Sequence, residues 1–139
     1  LIKKLDNVDY DFYGFQNKEP IWGNEFYQAL NNSKMGLNLS RGLPTKYYTS
    51  NRIASLMGNG LLTFIDKKTH LDDMFNKKEA IMYSNINDLT EKINFYKKND
   101  KLRRKIGSAG RKKYFKLFSE IKISNYIINK SLGKKAILY

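Results

Sequence analysis

The chain has 139 residues, enough for one ordinary domain and too few for two independent cores. Hydrophobic residues make up 41% and aromatics 14%, which excludes a disordered chain. It contains no cysteine, which excludes a disulfide framework and thiolate metal ligation and fits a reducing compartment, and no apolar run is long enough to span a bilayer. The formal net charge is +13, carried mainly by lysine. A basic chain of this kind suits a nucleic acid or an anionic membrane surface. Against that, the lysines are scattered along the chain, and Lys, Asn, Ile and Tyr are abundant together, as A+T-rich coding produces. Arginine, whose planar fork matches phosphate, occurs only at Arg41, Arg52, Arg103, Arg104 and Arg111. Codon bias is the favoured explanation.

No signal peptide is visible at the start. Residues 1–5 read as the end of a helix, and the first residue is Leu1, so a piece of a longer protein is expected. Residues 8–14 (VDYDFYG) alternate and close on glycine, which predicts a strand. Residues 14–23 hold Pro20 and two glycines and predict a loop. Residues 24–32 place Phe26, Tyr27 and Leu30 at helical spacing. Residues 34–40 (KMGLNLS) predict a second strand, and residues 41–49, with Gly42 and Pro44, a second loop. Ser50 is a good N-cap for a helix carrying Ile53, Leu56 and Met57, which Gly58-Asn59-Gly60 terminates.

Residues 61–65 (LLTFI) predict a strand buried on both faces of a parallel sheet. Residues 66–75 predict a loop with a short helix, and residues 80–83 a fourth strand. Residues 87–98 form an amphipathic pattern with Leu89, Ile93 and Tyr96 on one face. Residues 100–115 predict a helix with Leu102, Ile106 and Ala109 inward and its basic residues outward. Residues 119–132 predict a last helix with an apolar stripe of Ile123, Tyr126 and Ile127. Residues 133–139 carry no assignment. Alternating strands and helices with short loops predict an α/β fold, a Rossmann-like parallel sheet of about four strands with helices on both faces. About six strands complete such a sheet, so the domain is expected to be partial, with residues 87–132 as its C-terminal helices.

Ligands of open parallel sheets bind beyond the carboxyl ends of the strands. The informative loop there runs from Ser40-Arg41-Gly42 to Thr49-Ser50-Asn51-Arg52. A helix N-terminus offers unpaired N–H groups and a partial positive charge. Arg41 at the strand end and Arg52 in the first helical turn could clamp a diphosphate, with Gly42 permitting close backbone approach. Read from these residues alone, an ordinary capped helix with two solvated arginines fits equally well.

A resemblance favours the diphosphate. Residues 36–64 (GLNLSRGLPTKYYTSNRIASLMGNGLLTF) resemble the signature of spore-maturation-protein-like GT-B glycosyltransferases. Residues 88–118 resemble the C-terminal helices of group-one glycosyltransferases, with Asp100, Arg104 and Gly110 at the "Asp-x-x-x-Arg…Gly" spacing. Residues 48–60 also look like the donor segment of α1,3-fucosyltransferases, where a basic residue at the place of Arg52 meets the diphosphate. The resemblance implies a C-terminal donor domain for a nucleotide-sugar, with Arg41, Gly42, Ser50, Asn51, Arg52 and Ser55 around the donor. The enzyme implied is a hexosyltransferase of bacterial glycan biosynthesis, located in the cytoplasm, the inner face of the membrane included. Where many relatives hold the ribose with Glu, this chain has Ser55, which cannot grip two hydroxyls as a carboxylate does.

The acceptor site and any general base are expected on a missing N-terminal domain, so this part alone should be inactive. The outcome, retaining or inverting, stays open. The substrate is the nucleotide-sugar and no separate cofactor is expected; a nucleic-acid partner is disfavoured, and self-association through the last helix is expected.

His70 is the lone histidine, on the rim where a sugar would sit; a general-base role is outweighed by plain exposure. No cluster has metal-ligand spacing, so no metal is expected. Asp72 and Asp73 read as a helix-dipole pair rather than paired acids, and Lys67 and Lys68 as solvated. Trp22 could stack on a base or sugar, but closing a loop over the core is the favoured role. Rival readings are a basic nucleic-acid-binding domain and a non-catalytic α/β interaction domain.

Overall fold

The computed structural model describes residues 5, 7–14, 17–39, 42–48 and 50–137. Its elements are α1 (Gly23–Asn32), β1 (Met35–Asn38), α2 (Asn51–Gly58), β2 (Leu62–Asp66), β3 (Ile81–Tyr83), α3 (Ile86–Lys98), α4 (Asp100–Phe118) and α5 (Glu120–Ser131). Two 3₁₀ turns, Lys67–Thr69 and Leu71–Asp73, follow β2. The strands form one parallel sheet in the order β1-β2-β3, with Leu37 beside Phe64 and Phe64 beside Ile81. This is the expected mixed α/β architecture of a partial Rossmann-like domain.

The central strand is apolar on both faces because both are covered. Leu62 and Phe64 join Ile81 and Tyr83 on one face, under Leu89 and Ile93 of α3 and Ile106 of α4. Ile65 packs on the other face with Ile53 and Met57 of α2, Leu71 and Phe75, and the aromatic end of α4 at Tyr114 and Phe118. Leu30 of α1 meets Leu56 and Leu61. Gly36 lets α2 lie close on β1, since a Cβ there would collide with Leu56.

The end of α2 is set by Gly60 at φ +75°. Gly60 N–H donates to Met57 O (2.9 Å) and Leu61 N–H to Leu56 O (3.1 Å), the paired bonds of a Schellman turn.

Three sequence expectations need correction. Residues 8–14 form no strand: the sheet of the described residues ends at β1, so the alternating segment has no ladder to join. Leu5 and Val8 instead pack on the edge of the first core cluster. Trp22 closes nothing; it precedes α1 with 78% of its surface exposed. The inward face of α4 is Arg103, Ile106, Gly107 and Gly110, while Leu102 is exposed. Small residues, not large apolar ones, decide that face. A Cβ on Gly107 would strike the Gly60 carbonyl, and one on Gly110 the Glu79 carbonyl, so α4 reaches the sheet through its own backbone.

Candidate functional site at the β1–α2 mouth

The carboxyl end of β1 and the amino end of α2 meet at the strand-end position where open parallel sheets bind their ligands. Ser50 caps α2: its Oγ accepts from the Arg52 N–H at 3.3 Å. The same hydroxyl donates to Oδ1 of Asn38, the buried last residue of β1, over a long 3.5 Å. The Arg52 side chain bends back over this junction. Its Nη1 donates to Leu39 O at 2.6 Å and lies 3.4 Å from Ser50 Oγ. The guanidinium is thus exposed yet held at the strand end, beside the first helical turn, whose Arg52 and Ile53 N–H groups bond Ser50 Oγ and Ser50 O.

Asn51 and Ser55 follow on the outer face of α2, one turn apart, and Ser55 Oγ donates back to Asn51 O (3.5 Å). Gly42 adopts φ +71° in the loop, with open space where a Cβ would project. Arg41 lies outside the described residues.

The second rim comes from the segment after β2. Asp66 caps the first 3₁₀ turn through Lys68 N–H (2.9 Å), and His70, at φ +53°, links the two turns with its ring exposed. Tyr47 ties the β1–α2 loop to this rim: its N–H donates to Thr69 O (2.7 Å) and its hydroxyl to Asp73 Oδ2 (2.7 Å). Asp73 is therefore a latch on the loop rather than half of an acid pair. Tyr83 ends β3 alongside Asp66. Burial, reinforced by the Asp66 charge, pushes its hydroxyl up to about 12, so it stays protonated at neutral pH.

The structure thus gathers Ser50, Arg52, Asn51 and Ser55 along one helix, with Gly42 and His70 on the adjoining loops. Sequence reasoning overlooks Asn38, Tyr47 and Asp73. The signal for Asn38 is a lone amide at the last position of an apolar strand; Tyr47 and Asp73 carry none, because their pairing spans 26 positions.

The second resembling motif has an architectural role. Asp100 opens α4, pairs with Arg103, and holds Arg104 Nε at 2.7 Å. Gly110 is the close-packed glycine on Glu79. Among the described residues, no group of three or more His, Asp or Glu is placed to hold a metal, and no helix is long and apolar enough to cross a membrane.

A parallel sheet with a capped, arginine-bearing helix at its carboxyl edge and backbone-packed C-terminal helices is the architecture of a GT-B-type glycosyltransferase domain. The chain matches the glycosyl transferase-like family over residues 2–124, and it belongs to that family. No curated protein and no solved structure matches it.

Proposed function

We infer that this chain is the donor-binding half of a GT-B glycosyltransferase, holding a nucleotide-sugar by its diphosphate at the β1–α2 mouth. One observation carries the inference: Arg52, braced on Leu39 O, faces solvent beside the Ser50-capped N-terminus of α2. A diphosphate there meets the positive end of the helix and a guanidinium together. In transfer, the same groups stabilise the charge that develops on the departing diphosphate. On this reading Asn51 and Ser55 of α2 meet the nucleoside, and His70 across the loop meets the sugar. The acceptor and the rest of the cleft belong to a second domain.

Calorimetry with UDP, GDP, CMP and ADP tests this reading. Weak binding of at least one nucleotide is expected, with no sugar transfer by this chain alone. Binding of none of the four would return the chain to the class of non-catalytic interaction domains, and transfer by this chain alone would refute the division of labour.

A further inference from the structure

The lysines are spread along the chain, but the net charge is not. Residues 101–139 hold twelve Lys and Arg and a single acid, Glu120, a net +11; residues 1–100 hold fourteen against twelve acids, a net +2. Within that region the charge is ordered on α4. At about 100° per residue, Lys101, Arg104, Lys105, Arg111, Lys112 and Lys116 fall in one arc of about 140°. Ser108 and Phe115 complete the arc, and every residue in it is exposed. It holds no acid. Asp100, just outside its edge, pairs with the buried Arg103 and with Arg104. Among the described residues no carboxylate pairs with the other five cations. Codon bias enriches lysine everywhere; it does not keep acids off one side of one helix.

The seat of α4 fixes where this face points. Gly107 meets the Gly60 carbonyl just before β2, and Gly110 meets the Glu79 carbonyl just before β3. The helix therefore lies across the amino ends of these two strands. Ile106, Gly107 and Gly110 are buried against the sheet, and the cationic arc is on the opposite side of the helix. The β1–α2 mouth is at the carboxyl end of the sheet, so the two surfaces are separate. From Lys101 to Lys116 the cationic face runs about 22 Å.

We propose that the outer face of α4 binds the phosphate backbone of a nucleic-acid duplex without reading its sequence. A duplex carries one charge per about 1.7 Å of axis, so about 22 Å of it offers more phosphates than the face has cations. The lysines and the Ser108 hydroxyl are donors suited to phosphate oxygens. Nothing on the face is suited to base edges. Residues 100–118 contain no Asn or Gln, Arg104 is held by Asp100, and Arg111 lies over the Phe115 ring. The helix is also seated on the sheet edge by its own backbone, so its covered side keeps it from filling a groove. Other occupants fit less well. A second copy would set like charge against like. A protein interface relies on apolar and aromatic anchors and is depleted in lysine, whereas here one ring, Phe115, stands among the cations. A bilayer takes up aliphatic groups beside the lysines, and this arc carries none. The face is independent of the donor reading.

Fluorescence anisotropy of the intact chain with a labelled DNA duplex of about 20 base pairs tests the proposal. The logarithm of the association constant should fall linearly with that of the NaCl concentration between about 50 mM and about 200 mM, with a slope of about −4 to −5 for the five cations not paired with Asp100. Two duplexes of unrelated sequence should bind within about twofold of each other. Lys105→Glu with Lys112→Glu should weaken binding at least about tenfold and flatten the slope by about 2. Lys67→Glu with Lys68→Glu, an equal charge change at the carboxyl edge of the sheet, should keep the affinity within about threefold of the parent. Circular dichroism confirms that each variant is folded; all four positions are exposed. Equal losses in the two pairs would show that net charge alone drives the binding, and would overturn the proposal. So would a preference of about tenfold or more for one sequence. Absence of duplex binding at about 50 mM NaCl would do the same, whether or not vesicles of phosphatidylcholine and phosphatidylglycerol capture the chain.

Discussion

Arg52 and Arg103 show how little a residue's type says about its work. Arg52 is exposed and reaches back to a backbone carbonyl, so its charge is available at the mouth while its position is fixed. Arg103 is 5% exposed and paired with Asp100, a structural cation. The sequence distinguishes them only by the Ser50 cap ahead of Arg52; nothing in the run Lys101-Leu102-Arg103-Arg104-Lys105 marks which cation turns inward. Arg52→Ala should weaken nucleoside-diphosphate binding about tenfold to a hundredfold, the worth of a charge-assisted hydrogen bond. Arg52→Lys should recover part of this, keeping the charge but losing the fork. Lys101→Ala, on α4, is the fitting control; Arg103→Ala is not, because it leaves Asp100 without its buried partner. Calorimetry giving one affinity for Arg52→Ala and the parent would remove Arg52 from the site.

At the scale of the element, period and caps were readable and packing faces were not. The Ser50 cap, the glycine stop of α2, the buried central strand and the Leu89–Ile93 face of α3 all follow from local chemistry. The α4 face does not, because there the close contact is made by glycine, which no hydrophobic pattern registers. Gly107→Ala should destabilise the fold by about 1–3 kcal/mol, the usual effect of overpacking, since a backbone carbonyl cannot move aside as a side chain can. Gly58→Ala, whose Cβ would meet only the Phe115 ring edge at 4.0 Å, should be neutral or stabilising. Chemical denaturation of the two variants separates the cases; equal midpoints would mean that α4 shifts freely.

Asp88 offers a pH test on α3. Its hydrogen bonds from Lys92 and from the Ser84 N–H (2.8 Å) hold its carboxyl below its ordinary value. A group with a depressed folded pKa stabilises the fold above its unfolded value and loses that contribution as pH falls through the folded one. The parent should therefore lose more stability than Asp88→Asn as the solution is acidified below the ordinary carboxylate range. Parallel acid-side curves for the two would show that the pair contributes nothing there.

For the whole molecule, the order of elements from α1 onward was legible, and so was the β1–α2 mouth in outline, since Ser50, Asn51, Arg52 and Ser55 lie together at the predicted strand end. The rim beyond β2 was hidden because Tyr47 and Asp73 meet only in the folded chain. The charge asymmetry was legible throughout, but only when acids are counted with lysines. That asymmetry has a consequence for stability. Like charges crowded on α4, α5 and the following segment repel one another in the folded state, and only Asp100 and Glu120 lie on those two helices to offset them. Raising ionic strength from about 0.01 M to about 0.15 M shortens the screening length from about 30 Å to about 8 Å, which relieves that repulsion. Thermal unfolding followed by circular dichroism should show Tm rising over this range, by about 3 °C for each 1 kcal/mol gained in a chain of this size. Lys105→Glu with Lys112→Glu, at two exposed positions of α4, should raise Tm at low salt and flatten its salt dependence. A Tm that fell with salt in the parent would mean that its few ion pairs, and not the repulsion within this cationic region, govern the electrostatics of the fold.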